Sequence, residues 1–313
     1  MTRTVAQPTR DDADAVNGIR PTLRELIALR ALVARYRPGK RGRLGVHGPA
    51  LSPMRGRGME YAESREYMHG DDARHMDWRI TARTGKAHTK VFHAERERLT
   101  LVVADTNPRL YFGTRVCFKS VQAARLGAVA VWQAIKDGDR VATLRGSRRD
   151  EPVRPAAGMR GALPVLNALN RWYSEPPADD GGLVMAIRHA NRIAKPGTRV
   201  IVLADPSSVL TVDVAQWSAL SQHKDVLVVL VTDPLETEPP MQSVNLLAAG
   251  QRRNLSLDAI NTRVSWDAVF GQPLRDAGQT LKVRGIRAVV MPTTGVPSTL
   301  IDWMQGAAQA EVA

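Results

Sequence analysis

The sequence predicts an α/β fold: a doubly wound, mostly parallel sheet preceded by a small irregular, β-containing N-terminal segment. Three observations carry that prediction. Apolar runs of strand length recur from residue 99 onward, at 99–104, 199–203 and 225–231. Helix-length stretches alternate with them, as they do where each strand is followed by a crossover. The strand runs lack period-two alternation, which marks strands covered on both faces.

Each element has its own local reason. Residues 22–35 place Leu23, Leu26, Ile27, Leu29, Leu32 and Val33 at helical spacing, with Pro21 and Thr22 as start signals. Residues 37–58 are crowded with Gly and Pro and read as loop or short irregular strands. After the first buried strand, 120–135 reads as a helix and 140–144 as a strand. Residues 161–173 and 183–193 read as helices. The strand at 199–203 is followed by an amphipathic segment at 212–220. Beyond the strand at 225–231, residues 242–254 read as a possible antiparallel edge hairpin. A helix over 265–281, a strand over 287–290 and a closing helix over 298–304 complete the chain. The expected organisation is a mobile polar tail (1–20), a helix with a charged block (21–98), and the α/β domain (99–313).

Composition bounds the function. An apolar content of 43% and a charged content of 24% over 313 residues describe a chain able to bury a sizeable core. A formal net charge of +13 points toward acidic partners, nucleic acid among them. The lone cysteine, Cys117, excludes a disulfide framework within the chain and reads as a small core residue. No run approaches the ~18 apolar residues of a membrane helix. The start of the chain, with Asp11, Asp12 and Asp14, does not read as a signal peptide. The expectation is a soluble, cytoplasmic protein.

Ligands of open α/β sheets bind beyond the carboxyl ends of the strands. Three strands end in aspartate, at Asp105, Asp205 and Asp233. Such carboxylates can hold a hard cation or cap the turn that follows. For Asp233, followed by Pro234, capping is the favoured reading. Asp105 and Asp205 are candidate ligands for Mg²⁺.

The densest cluster of chemistry lies at 56–92, where Glu60, Glu63, Glu66, Asp71, Asp72 and Asp77 interleave with Arg65, Arg74, Arg79 and Arg83. Guanidinium forks match carboxylates and can lock irregular backbone. Trp78, with Tyr61 and Tyr67, offers an apolar anchor. The block serves either as an internal ion-paired scaffold or as a docking surface, with Arg65, Tyr67, Asp71, Asp72, Arg74, Asp77, Trp78 and Arg83 as candidates. His69 and His75 do not have the spacing of a helical zinc pair. GxSxG, Walker A and HExxH motifs are absent from the sequence.

The ordered run Gly56-Arg57-Gly58-Met59-Glu60-Tyr61, Arg65-x-Tyr67-x-x-Gly70-Asp71-Asp72-x-Arg74-x-x-Asp77-Trp78, Ala82-Arg83, Lys90-x-Phe92 and Glu95 resembles the signature of the "domain of unknown function 58" family. The resemblance implies a von Willebrand factor A-like α/β domain. It further implies a bacterial adaptor or co-chaperone of a MoxR-type AAA+ ATPase acting on a client protein, with no catalytic activity. A metal-ion-dependent adhesion site in such a domain would read Asp-x-Ser-x-Ser after the first strand. Here Asp105-Thr106-Asn107-Pro108-Arg109 keeps only the aspartate. Asp179-Asp180-Gly181-Gly182 lacks the expected threonine, and Asp205 stands where the third element falls. The site is thus degenerate, and an Asp105–Arg109 ion pair in place of Mg²⁺ is the physical expectation. The alternatives are a basic nucleic-acid-binding protein and, more weakly, a metal-dependent hydrolase using Asp105 and Asp205.

Overall fold

The computed structural model describes residues 18–36, 59–68, 71–94, 98–248 and 251–306. The tail before residue 18, the Gly/Pro-rich stretch 37–58, His69, Gly70 and Glu95 lie outside the described residues. The chain divides into two compact units, one of residues 43–98 and one of all the rest.

In the larger unit, a six-stranded sheet has the order β10-β7-β6-β3-β4-β5. Its strands are β3 (Leu99–Ala104), β4 (Arg140–Arg145), β5 (Val153–Ala156), β6 (Arg199–Ala204), β7 (Asp225–Thr232) and β10 (Arg287–Pro292). All neighbours pair in parallel except β4 and β5. The central strands β3, β6 and β7 are buried almost end to end, as the missing alternation predicts.

Helices cover both faces. On one lie α1 (Leu23–Arg35), α3 (Lys119–Lys136), α4 (Gly158–Ser174) and α11 (Leu300–Met304), packed with Val102, Ile201, Leu227 and Val229. On the other lie α5 (Gly182–Ile193), α7 (Val214–Ser221) and α10 (Gln272–Lys282), packed with Leu101, Val103, Val200, Val202 and Val228. This is a doubly wound α/β architecture.

Helix α1 is capped by Thr22, whose hydroxyl accepts from the Glu25 N–H. It is tied to α3 by an Arg125–Glu25 ion pair of 2.6 Å and by Trp132 Nε1 donating to Leu26 O at 2.9 Å. It therefore packs with the sheet's own helices.

Three details differ from the expected elements. The antiparallel edge of the sheet is β5, a four-residue strand too short and too proline-marked to stand out in the sequence. The hairpin β8 (Ser243–Ala248) and β9 (Gln251–Ser256) exists but forms its own two-stranded sheet. Asp205-Pro206-Ser207-Ser208, which reads as a turn, opens the short helix α6 (Pro206–Leu210) with Asp205 as its cap. Gly161 sits where α4 crosses β5. A Cβ there would lie 1.9 Å from the Ala156 carbonyl oxygen, so only glycine permits that approach.

In the smaller unit, β1 (Met59–Glu66) pairs antiparallel with β2 (His88–Ala94). Between them lie a single 3₁₀ turn at Ala73–His75 and helix α2 (Trp78–Thr84). Asp72 caps the turn and Asp77 caps α2. Gly85, with φ of 71°, ends α2 in the left-handed conformation.

Candidate functional site

The order of the sheet reverses at β3, whose chain goes first to β4 on one side and later to β6 on the other. That switch point is where an open sheet presents a crevice. Asp105 and Asp205 meet there, because β3 and β6 are hydrogen-bonded neighbours. Asp105 is 1% exposed. Its Oδ2 accepts from the Asp205 N–H at 3.0 Å and its Oδ1 from the Asn107 N–H at 3.1 Å. Burial dominates its protonation and pushes the carboxyl up to about 7. The Asp205 and Asn107 N–H donors only partly offset it.

The cation beside this pair is Lys119, the first residue of α3. It is 1% exposed. Its Nζ donates to Asp205 Oδ2 at 2.7 Å and to Glu236 Oε1 at 2.6 Å. Burial works against the ammonium, yet the two carboxylates outweigh it and hold the Lys119 pKa above its ordinary value. For Asp205 the balance runs the other way. Burial pulls it up, but Lys119 and Ser207 together keep it below the usual carboxylate range. Burial prevails at Glu236, which lies above its ordinary value.

The ion pair expected between Asp105 and Arg109 does not form among the described residues. Arg109 is exposed, and its backbone N–H donates to Asn107 Oδ1 at 2.9 Å. The Asn107 side chain thus closes the turn at Pro108–Leu110 instead of facing a metal. The Arg109 side chain lines a cleft of about 10 Å³ with Asp205, Ser207, Thr232 and Glu236. That volume is room for about one water.

Asp233 acts as a cap, in a capping box with Glu236 on the short helix α8 (Pro234–Thr237). It also accepts from Thr293 Oγ1 at 2.8 Å and from both the hydroxyl and the backbone N–H of Thr114. Near Gly181, where the resemblance leads one to expect a threonine, Asp180 accepts from Thr106 Oγ1 at 2.9 Å and from the Gly182 N–H at 3.0 Å.

These donors do not fit a divalent cation. Both Asp105 oxygens are taken by backbone N–H groups, and an ammonium already lies against Asp205. An incoming Mg²⁺ would have to expel Lys119 from two carboxylates in a desolvated site. Sequence reading missed Lys119 and Glu236. A lone lysine opening a long apolar helix was one available signal. The Asp-Pro-Leu-Glu capping box after β7 was the other.

The charged block separates into inward and outward residues. Arg65 pairs with Asp71 at 2.7 Å, and Tyr67 donates its hydroxyl to Asp71 O at 3.1 Å. Asp71 Oδ2 accepts from the Met68 N–H at 2.9 Å. Asp72 Oδ1 accepts from the Arg74 N–H, and Asp77 Oδ1 from the Ile80 N–H. Ser64 donates to Asp77 Oδ2 at 2.9 Å, fastening β1 to α2. Trp78, the candidate apolar anchor, is 69% exposed. Arg74, Arg79 and Arg83 are also exposed.

The block and the sheet together decide the family. The family model described as "Protein of unknown function DUF58" matches residues 63–269, most of the chain. The chain belongs to this family. The DUF58 match begins within β1 and takes in the block from Glu63 onward, both halves of the switch point and β7. It stops short of β10. Similar proteins include Uncharacterized protein Mb1516 of Mycobacterium bovis and Uncharacterized protein Rv1480 of Mycobacterium tuberculosis. Each is 30% identical over 200 residues, covering 62% of this chain and 62% of the relative. The chain thus matches less than two thirds of the length of either relative.

Proposed function

We propose that this DUF58 protein is a non-enzymatic protein-interaction module. In this reading it has a von Willebrand factor A-like domain and serves as an adaptor or co-chaperone of a MoxR-type AAA+ ATPase. The strand order, with its antiparallel edge strand β5, is compatible with such a domain. The observation that carries the proposal is the buried Lys119–Asp205–Glu236 cluster. At the position where an enzyme of this architecture would keep reactive groups, the carboxylates are spent on an internal cation. Asp205 and Glu236 are held by Lys119, and both oxygens of the neighbouring Asp105 accept backbone N–H bonds, an arrangement that does not favour activation of a water. In this reading the adhesion site is degenerate in a specific way: an internal ammonium engages two of its carboxylates, and contact with a partner needs no bridging ion.

Co-purification with the MoxR-type ATPase of the same genome tests the reading. The expected result is a complex formed equally well by protein prepared with and without a chelator. Failure of the two purified proteins to associate, in any nucleotide state of the ATPase, would overturn it.

A further inference from the structure

Within the charged block, the described acids and three of the arginines differ in what engages them. Among the described residues of the smaller unit, Asp71 holds Arg65, Asp72 and Asp77 cap short helical turns, and Glu66 pairs with Lys86 at 2.9 Å. The acidic side chains are thus used locally, whereas no ion pair engages Arg74, Arg79 or Arg83 among the described residues. Helix α2 turns Trp78, Arg79, Ala82 and Arg83 to solvent, while Ile80 and Thr81 are half-buried. At 100° per residue these four outward positions fall on one continuous arc. They form a cationic face with an indole in its first turn. Asp77 closes one end of the helix that carries this face and Gly85 the other.

An indole exposed to this extent leaves much of a side chain worth ~150–250 Å² of burial in water. Tryptophan flanked by arginines is also the composition that dominates binding energy at protein interfaces. We infer that the outward face of α2 is a docking surface for an acidic protein segment. Trp78 enters an apolar pocket of the partner, and Arg74, Arg79 and Arg83 meet carboxylates around it. Charge complementarity selects this occupant, because the face offers cations and an apolar anchor while the described acids around it are engaged in helix caps and ion pairs. Single-stranded nucleic acid fits less well. It is tracked by successive aromatic platforms along a groove, and among the described side chains of the smaller unit Trp78 alone is an exposed aromatic, while Tyr67 is tied to Asp71 O.

The inference deepens the interaction-module reading and rests on it, so the test separates the two. The full-length chain is titrated with a fluorescent synthetic peptide of glutamates flanking leucine and phenylalanine. A second peptide with glutamine for every glutamate, and an oligothymidine, serve as controls. The acidic peptide is expected to bind with salt-sensitive affinity and the glutamine peptide ~10-fold or more weaker. Trp78→Ala and the pair Arg79→Glu/Arg83→Glu should each lower acidic-peptide affinity ~10-fold or more. Arg79→Lys/Arg83→Lys should retain most of it. Equal binding of the two peptides, no effect of either variant, or preferential capture of oligothymidine through the same residues would each overturn the inference. The same variants are then titrated with the MoxR-type ATPase. An ATPase that binds wild type and variants alike removes α2 as the docking face and leaves the adaptor reading standing. An ATPase that binds neither, beside a peptide that binds through Trp78, removes the adaptor reading and leaves the surface.

Discussion

Lys119→Met is the perturbation that probes the switch point most sharply. Wild-type Lys119 is almost fully buried and within 2.7 Å of two carboxylates that are themselves nearly inaccessible. Deleting one partner of a buried ion pair costs about 3–5 kcal/mol, because the remaining charge is left without water or a counter-ion. Two carboxylates are stranded here, so the upper end of that range is expected. That is a large part of the ~5–15 kcal/mol that holds a typical domain together. Urea unfolding followed by circular dichroism reads the loss as a lowered midpoint. Two controls make the reasoning specific. The deficit should shrink in acid, where Asp205 and Glu236 of the variant take up protons. The triple variant Lys119→Met/Asp205→Asn/Glu236→Gln should recover most of the loss, since it removes all three charges. It also keeps acceptors for the Ser207 and Asp233 N–H groups, which the native carboxylates now hold. A cost below ~1 kcal/mol in the single variant, or a triple variant as unstable as the single one, would refute a buried, paired ammonium.

Two further outcomes follow from the same geometry. Asp105 binds its proton more tightly in the folded chain, with its carboxyl raised from 3.8 to about 7. Its contribution to stability is therefore full below the ordinary value and is lost as pH rises to about 7, by at most about 4 kcal/mol. Stability measured from pH 4 to 8 should show that fall, and Asp105→Asn should flatten it whatever its own cost; an unchanged slope would contradict the burial of a titrating carboxyl. Gly161→Ala should destabilise by ~1–3 kcal/mol despite alanine's better helix propensity, because its Cβ would strike the Ala156 carbonyl. A neutral or stabilised variant in thermal unfolding would show that α4 does not press on β5 in this way.

The sheet was legible because its central strands are buried on both faces, which forces apolar runs that no surface strand needs. Helix α1 was legible from its spacing, but that it packs with the sheet's helices was not, since Trp132 and Arg125 reach it from about a hundred residues away. Strand β5 escaped notice because an edge strand of four residues carries little pattern. At the candidate site, Asp105 and Asp205 could be picked out as strand-end aspartates. What satisfies them could not, because the partner of Asp205 comes from the start of α3 and is shared with a glutamate more than a hundred residues beyond it. Arg109 was close in sequence and of the right charge, yet beyond the turn closed by Asn107 it stays exposed at the rim of the cleft and makes no ion pair with Asp105. Within the block, chemical density alone could not separate caps from outward residues. Asp72 and Asp77, docking-surface candidates in sequence, act as helix caps in the fold.

The central claim is that an internal ammonium takes the place of a divalent cation at the switch point. Calorimetric titration of Mg²⁺ into the full-length chain tests it most directly. The account predicts no saturable binding at the sheet edge of the wild-type protein. A site with a dissociation constant below ~1 mM, abolished by Asp205→Asn and indifferent to Lys119→Met, would contradict it.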